Sequence, residues 1–140
     1  MNRKEFLKGL GMSSAAVFAL ITLHSCSSSS NVTVVPAGAV DFIIDLNDAQ
    51  YANLKTNGGY IIKNQIVIAK TKDGTYVAVT QKCSHEGEMR VVYQSSSDRF
   101  YCSAHGALFS TKGVGLNNEG KNGLFTYKTE LNGASLRIYS

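Results

Sequence analysis

The chain has 140 residues, 14 Lys and Arg against ten Asp and Glu, and 44% apolar residues, which suits one domain with its own core. Arg3, Lys4, Lys8 and Glu5 lie in the first 25 residues, so the remainder holds 11 basic and nine acidic residues and a net charge of only +2. No basic run with interleaved aromatics occurs, which argues against a nucleic-acid partner.

In chain order, residues 1–25 read as an export signal. The charged head of Arg3, Lys4 and Lys8 precedes a 14-residue apolar run, Leu10 to Leu23, interrupted by Gly11, Ser13 and Ser14. A membrane-spanning helix needs about 20 apolar residues, so a cleaved signal fits better than a retained anchor. Leu23-His24-Ser25-Cys26 resembles a bacterial lipoprotein box, with Cys26 as the lipidated residue. Ser27 to Ser30 and Asn31 open a polar tether, 26–37, of the kind a lipid-anchored domain needs. Arg3-Lys4-Glu5-Phe6-Leu7-Lys8 resembles the twin-arginine export motif, with Lys4 in place of the second Arg. That departure leaves both the folded and the unfolded export routes open.

From residue 38 onward strand signals dominate. Val40, Phe42, Ile44 and Leu46 alternate onto one face. Residues 48–54 offer a single helical turn, closed by Asn57-Gly58-Gly59. Tyr60–Ile62 and Gln65–Ala69 read as strands, and Lys72-Asp73-Gly74-Thr75 as a type I′ hairpin turn leading into Tyr76–Thr80. Arg90–Gln94 and Arg99–Tyr101 form a second hairpin around Ser95–Asp98. Extended structure restarts at Phe109, and 111–123 is a loop with four glycines. Asn132-Gly133 joins two final strands. No helix-period segment of useful length follows the leader, so the fold class is all-β: a small antiparallel base carrying an inserted tip at about 81–113.

The chemistry gathers in two boxes at the ends of the second hairpin. The first reads Cys83-Ser84-His85-Glu86-Gly87 and the second Cys102-Ser103-Ala104-His105-Gly106, with 16 residues between His85 and Cys102. Every Cys and His beyond residue 26 belongs to them. The bland alternatives are two core thiols with two surface imidazoles, a Cys83–Cys102 disulfide, or a mononuclear zinc ion. The disulfide leaves both histidines unexplained, and structural zinc sites usually group their thiolates in close pairs. A two-iron cluster with one Cys-ligated and one His-ligated iron accounts for one Cys and one His in each loop.

The two boxes resemble the cluster-binding boxes of the Rieske family, and the resemblance spans about Val40 to Tyr139. It implies a Rieske-type β base with a small cluster-binding subdomain, 38–140 as one domain, and one [2Fe–2S] cluster. Cys83 and Cys102 would then ligate the inner iron, and His85 and His105 the outer iron. Gly87 and Gly106 are expected to let backbone N–H groups approach the sulfides, or else to be simple turn residues.

Where quinol-oxidising members of the family carry an extra Cys in each box, joined as a disulfide, this chain has Glu88 and Ala104. Where they carry a Ser and a Tyr whose hydroxyls bond to sulfur, it has Ala107 and Phe109. Glu86 adds an anion beside the histidine edge, where that group has a Leu. Rieske centres span roughly −150 to +300 mV, and these changes place this one near the low end.

The expected function is one-electron transfer by a lipid-anchored protein on the periplasmic side of a bacterial membrane, exchanging electrons with a redox donor and acceptor. It is not expected to be an enzyme by itself. The alternatives are a small Rieske subunit of a larger or quinol-linked oxidoreductase and, in another class, a non-redox lipoprotein holding zinc or a disulfide.

Overall fold

A computed structural model describes residues 39–140. The signal segment, the lipidation residue Cys26 and the tether 26–37 lie outside the described residues. Among those described, no helix is long and apolar enough to cross a membrane.

Nine strands follow in order: β1 (Asp41–Asp45), β2 (Tyr60–Lys63), β3 (Ile66–Lys70), β4 (Tyr76–Thr80), β5 (Val91–Gln94), β6 (Arg99–Cys102), β7 (Leu108–Ser110), β8 (Thr126–Asn132) and β9 (Ser135–Tyr139). A 3-10 helix, Ala49–Lys55, links β1 to β2. Asp48 caps it by accepting the Gln50 N–H at 3.0 Å, which suits a short polar residue ahead of a helical turn. The antiparallel base has six strands in the order β1-β9-β8-β4-β3-β2, and β5-β6-β7 form a separate small sheet. The fold is thus the expected all-β base with an inserted tip. Everything between β4 and β8, residues 81–125, belongs to that insertion, so it includes the glycine-rich loop as well as the three strands.

β3 is central because both of its faces are buried. Ile66 and Ile68 pack with Ile44, Leu54, Leu136 and Ile138 in one apolar cluster. Val67 and Ala69 pack with Val79, Val91, Phe100 and Phe109 in another. A strand covered on both sides reads as an unbroken apolar run, as Ile66-Val67-Ile68-Ala69 does. The second cluster also contains Cys83 and Cys102, so the cysteines of the tip are part of the core that seats the tip on the base. Tyr93 stacks edge-on between Tyr60 and Phe100, with centroids 6.4 and 5.6 Å away, and ties the small sheet to β2.

Two turns differ from expectation. The Asp73-Gly74 turn is not type I′. Only Gly74 has positive φ, and Thr71 accepts the N–H of Gly74 and donates its own N–H to Thr75. This is a type I turn followed by a left-handed glycine, the three-residue hairpin form. The turn with both central residues at positive φ is Asn64-Gln65, between β2 and β3, at φ 52 and 62. The sequence pattern places Gln65 inside a strand, and the structure places it in this turn. Asn tolerates the left-handed region, and the register Lys63↔Ile66 leaves the two-residue loop no other twist that fits.

The described unit is closed on itself. The Ser140 N–H donates to the Val40 carbonyl at 3.0 Å, and the Val40 N–H donates to Ser140 Oγ at 3.0 Å.

Candidate metal centre

The β5–β6 hairpin places the two boxes side by side. Register pairs Val91 with Cys102, so the residues just before β5 and just after β6 leave the sheet at one end. The boxes then fold alike. In the first, the Gly87 N–H donates to the Cys83 carbonyl at 2.9 Å, and in the second the Gly106 N–H donates to the Cys102 carbonyl at 3.0 Å. Gly87 and Gly106 have φ of 78 and 76, a conformation that costs glycine little and other residues more. The two glycines are therefore turn residues. Their own N–H groups are spent on carbonyls. The N–H groups that reach the Cys83 sulfur are those of His85 and Glu86.

The two cysteines are free thiols and buried, 1% and 0% exposed. Burial pushes the Cys83 thiol up, and its contact with Cys102 adds to the rise. A disulfide is not what joins the boxes here. His85 and His105 instead lie exposed at the surface, with ring centroids 5.1 Å apart in an edge-on arrangement. Nε2 of His105 stands 3.2 Å from the Glu86 carboxylate, so Nδ1 is the nitrogen clear of that contact.

This layout discriminates between one metal and two. A tetrahedral zinc site has bonds of about 2.0–2.3 Å, which keeps its donor atoms within about 4 Å of one another. Among the described residues, the set of three or more metal-binding donors within 4.8 Å of one another is His85, Glu86 and His105, and neither cysteine belongs to it. The donors instead form a buried sulfur pair beneath an exposed nitrogen pair. A bimetallic group suits that arrangement, with one end softly ligated and dry and the other at the surface. Ser84 Oγ, between Cys83 and His85, is buried with no hydrogen-bond partner, an orphaned polar atom such as an anionic cluster would satisfy. The residues present therefore fit a [2Fe–2S] group.

Ala107 and Phe109, expected beside the sulfurs, are both 0% exposed and share the apolar cluster of Cys83 and Cys102. Neither carries a donor. The sequence reading missed Asn117, whose amide makes three hydrogen bonds: it donates to the Gly106 carbonyl at 2.8 Å and accepts from the N–H groups of Leu108 at 2.9 Å and Gly120 at 3.0 Å. Nothing in the local sequence distinguishes it from Asn118 beside it.

An all-β base carrying a two-loop tip, with paired cysteines below paired histidines, defines a class: a small iron–sulfur electron-transfer domain. Comparison with known proteins narrows the class to a family. The family model for the Rieske [2Fe-2S] domain matches residues 42–128, and the chain belongs to that family. Its cofactor is one [2Fe–2S] cluster, and its chemistry is electron transfer with redox partners.

Similar solved structures include the cyanobacterial plasma membrane Rieske protein PetC3 from Synechocystis PCC 6803, 26% identical, with 64% of this chain and 93% of that one covered and a TM-score of 0.53. The ferredoxin of carbazole 1,9a-dioxygenase from Nocardioides aromaticivorans IC177 shares the fold at 16% identity, 59% and 86% coverage and a TM-score of 0.51. The quaternary ammonium Rieske monooxygenase CntA shares it at 18% identity and a TM-score of 0.51, over 62% of this chain but only 28% of that enzyme. No curated protein matches the chain by sequence.

Proposed function

We propose that the protein is a lipid-anchored one-electron carrier on the periplasmic side of a bacterial membrane, working at low potential. Cys83 and Cys102 hold the inner iron, and His85 and His105 the outer iron. The observation that carries this reading is the split between a buried sulfur pair and an exposed nitrogen pair at one hairpin end. The cluster would supply the redox change. The chain's own residues keep the sulfur end dry in the core and bring the histidine edges to the surface, where a partner can dock. Glu86 beside His105, and the donor-free Ala107 and Phe109 beside the cysteines, support a low potential, because each disfavours added negative charge on the cluster. Length and composition support a carrier rather than an enzyme, since beyond residue 26 the only Cys and His residues are those of the two boxes.

A second reading, a small subunit of a larger oxidoreductase, is favoured by one observation. The same fold occurs as part of CntA, a monooxygenase in which it spans a minor share of the chain. A stoichiometric partner retained through gentle membrane solubilisation would identify the subunit.

The deciding experiment is metal and acid-labile sulfide analysis, with EPR of the reduced protein. Two iron and two sulfide per chain are expected, abolished by Cys83→Ser or Cys102→Ser. A Cys83→Ser protein with an unchanged visible spectrum would sink the ligand assignment. For the anchor, wild-type protein is expected to take up fatty acid label and Cys26→Ala to lose it. A Cys26→Ala protein that stays equally membrane-bound refutes the lipid anchor.

A further inference from the structure

No disulfide joins the two boxes, because Cys83 and Cys102 are free. Within its own turn the second box is held by the Cys102 N–H on the Ala107 carbonyl and the Gly106 N–H on Cys102. One more bond, the Ser103 N–H to the Arg90 carbonyl at 3.2 Å, ties it to the stem of the first. These contacts fix the start of the loop. The outward carbonyl of Gly106, next to His105, needs a partner from elsewhere, and the Asn117 amide supplies it at 2.8 Å.

We propose that Asn117 is a positioning residue for the second ligand loop: its side chain is the noncovalent brace that fixes His105 and Ala107 relative to the first box. The inference rests on the reading of Cys83, His85, Cys102 and His105 as ligands.

The amide is well suited to this role because all three contacts are of the right sign. Its oxygen takes two backbone N–H groups, from Leu108 and Gly120, and its nitrogen gives to a carbonyl, so turning the group over would oppose like poles three times. The loop that carries it is itself pinned. The Leu116 N–H donates to Leu108 and the Ser110 N–H to Val114, both at 2.8 Å, and Phe109 bridges to Gly115. Gly120 lies so close to β7 that an added Cβ would stand 2.4 Å from the Leu108 oxygen. Further along, the Asn122 amide reaches the Ser84 carbonyl of the first box at 3.5 Å, a longer contact from the same loop. One loop thus touches both boxes, and Asn117 is its strongest tie.

A brace acts on the cluster and not only on the fold. Relaxing the loop loosens the His105 ligand. Neutral imidazole ligation favours the reduced state, which carries the extra negative charge, so the potential falls.

The test uses full-length holoprotein. Asn117→Ala, Asn117→Asp and the control Asn118→Ala are compared with wild type by protein-film voltammetry, by EPR of the reduced cluster, and by the rate of bleaching in an iron chelator. Asn117→Asp keeps both acceptor contacts and loses the donor to Gly106, but it adds a negative charge that lowers the potential by itself, so bleaching and EPR are its readouts. The expected result is bleaching about tenfold faster in both Asn117 variants, with broadened EPR features. The reduced-to-oxidised ratio at fixed potential should fall about threefold, roughly 28 mV for a one-electron couple. The Asn118 variant should match wild type.

Wild-type bleaching, EPR and potential in Asn117→Ala overturn the proposal, even if its thermal midpoint drops. If Asn117→Ala does not accumulate, Asn117→Asp decides: wild-type bleaching and EPR in it overturn the brace. A wild-type protein without a cluster signal overturns the ligand reading and this inference with it, whereas a normal wild-type cluster with unaffected variants overturns the brace alone.

Discussion

At the residue scale, the proposed low potential rests on the positions beside the cysteines. Ala107 and Phe109 are fully buried in the apolar group that holds Cys83 and Cys102, and neither offers a proton to sulfur. A hydroxyl there would stabilise the reduced cluster more than the oxidised one, because the reduced form carries one more negative charge. A hydrogen bond to a charged group is worth ~1.5–3 kcal/mol, and about 1.4 kcal/mol corresponds to ~59 mV for one electron. Only part of that energy differs between the two states. Ala107→Ser and Phe109→Tyr should therefore each raise the potential by several tens of millivolts with the cluster intact. Voltammetry at one pH checks this. Potentials that stay put or drop in both would mean that these side chains do not face the sulfurs.

At the element scale, the β5–β6 hairpin must stay rigid for the boxes to stay aligned. Its turn ends at Asp98, a non-glycine residue at φ 49, and the Tyr93 hydroxyl donates to the Asp98 carboxylate. Burial, and then that carboxylate, push the Tyr93 hydroxyl well above its ordinary range. The folded protein therefore holds the proton more tightly than the unfolded chain does. This contribution to stability is complete below the unfolded value of about 10 and is lost as pH rises past it. Tyr93→Phe should cost ~1–3 kcal/mol at neutral pH, since a bond to a charged acceptor is removed. It should also flatten the decline in stability above about pH 10. Urea unfolding at the two pH values checks both, and an alkaline decline as steep as wild type would show that another group controls it.

Elements with a periodic signal were legible in the sequence, and those set by register were not. Val40 to Leu46 alternates, and Asp41–Asp45 within it is β1, with Ile44 and the following Leu46 in the core. The two boxes were read correctly as loops at the end of one hairpin, because Arg99-Phe100-Tyr101 runs directly into Cys102. The left-handed pair fell at Asn64-Gln65 and not at Asp73-Gly74, because pairing of β2 with β3 forces a two-residue loop whatever its composition. Asn117 was invisible for a related reason. Its three partners, Gly106, Leu108 and Gly120, come within reach only after the loop has folded back along β7. The left-handed conformation of Gly87 and Gly106 shows only in the backbone angles, since glycine in the sequence allows it without requiring it.

At the scale of the whole molecule, two apolar cores share β3, and only one of them contains the cysteines. Removing the cluster leaves two free thiols inside that core and takes away whatever the group contributed to holding the loops. The other core, built on Ile44, Ile68, Leu136 and Ile138, touches no ligand. Cluster removal should therefore loosen β5, β6 and β7 while the base stays folded. Hydrogen exchange of cluster-free against loaded protein should show faster exchange in 91–110 and little change in β8 and β9. Equal acceleration throughout would mean that the tip and base unfold as one unit.

Strand register has a practical consequence for anyone labelling this protein. Asp41 pairs with Tyr139, Tyr139 with Lys128, and Val79 with Thr126, so the start of β1, the end of β9 and both stems of the tip lie at one end of the six-stranded sheet. An affinity handle or fluorescent domain fused after Ser140 would stand on the same side as the tip and crowd an approaching redox protein. The opposite end of the sheet, where Asp45 meets Ser135 and the chain turns at Gly133 and Ala134, is the place for a dye or a surface linkage. Asn132 is exposed there, and a single thiol introduced at that position would tether the molecule to an electrode by its far end.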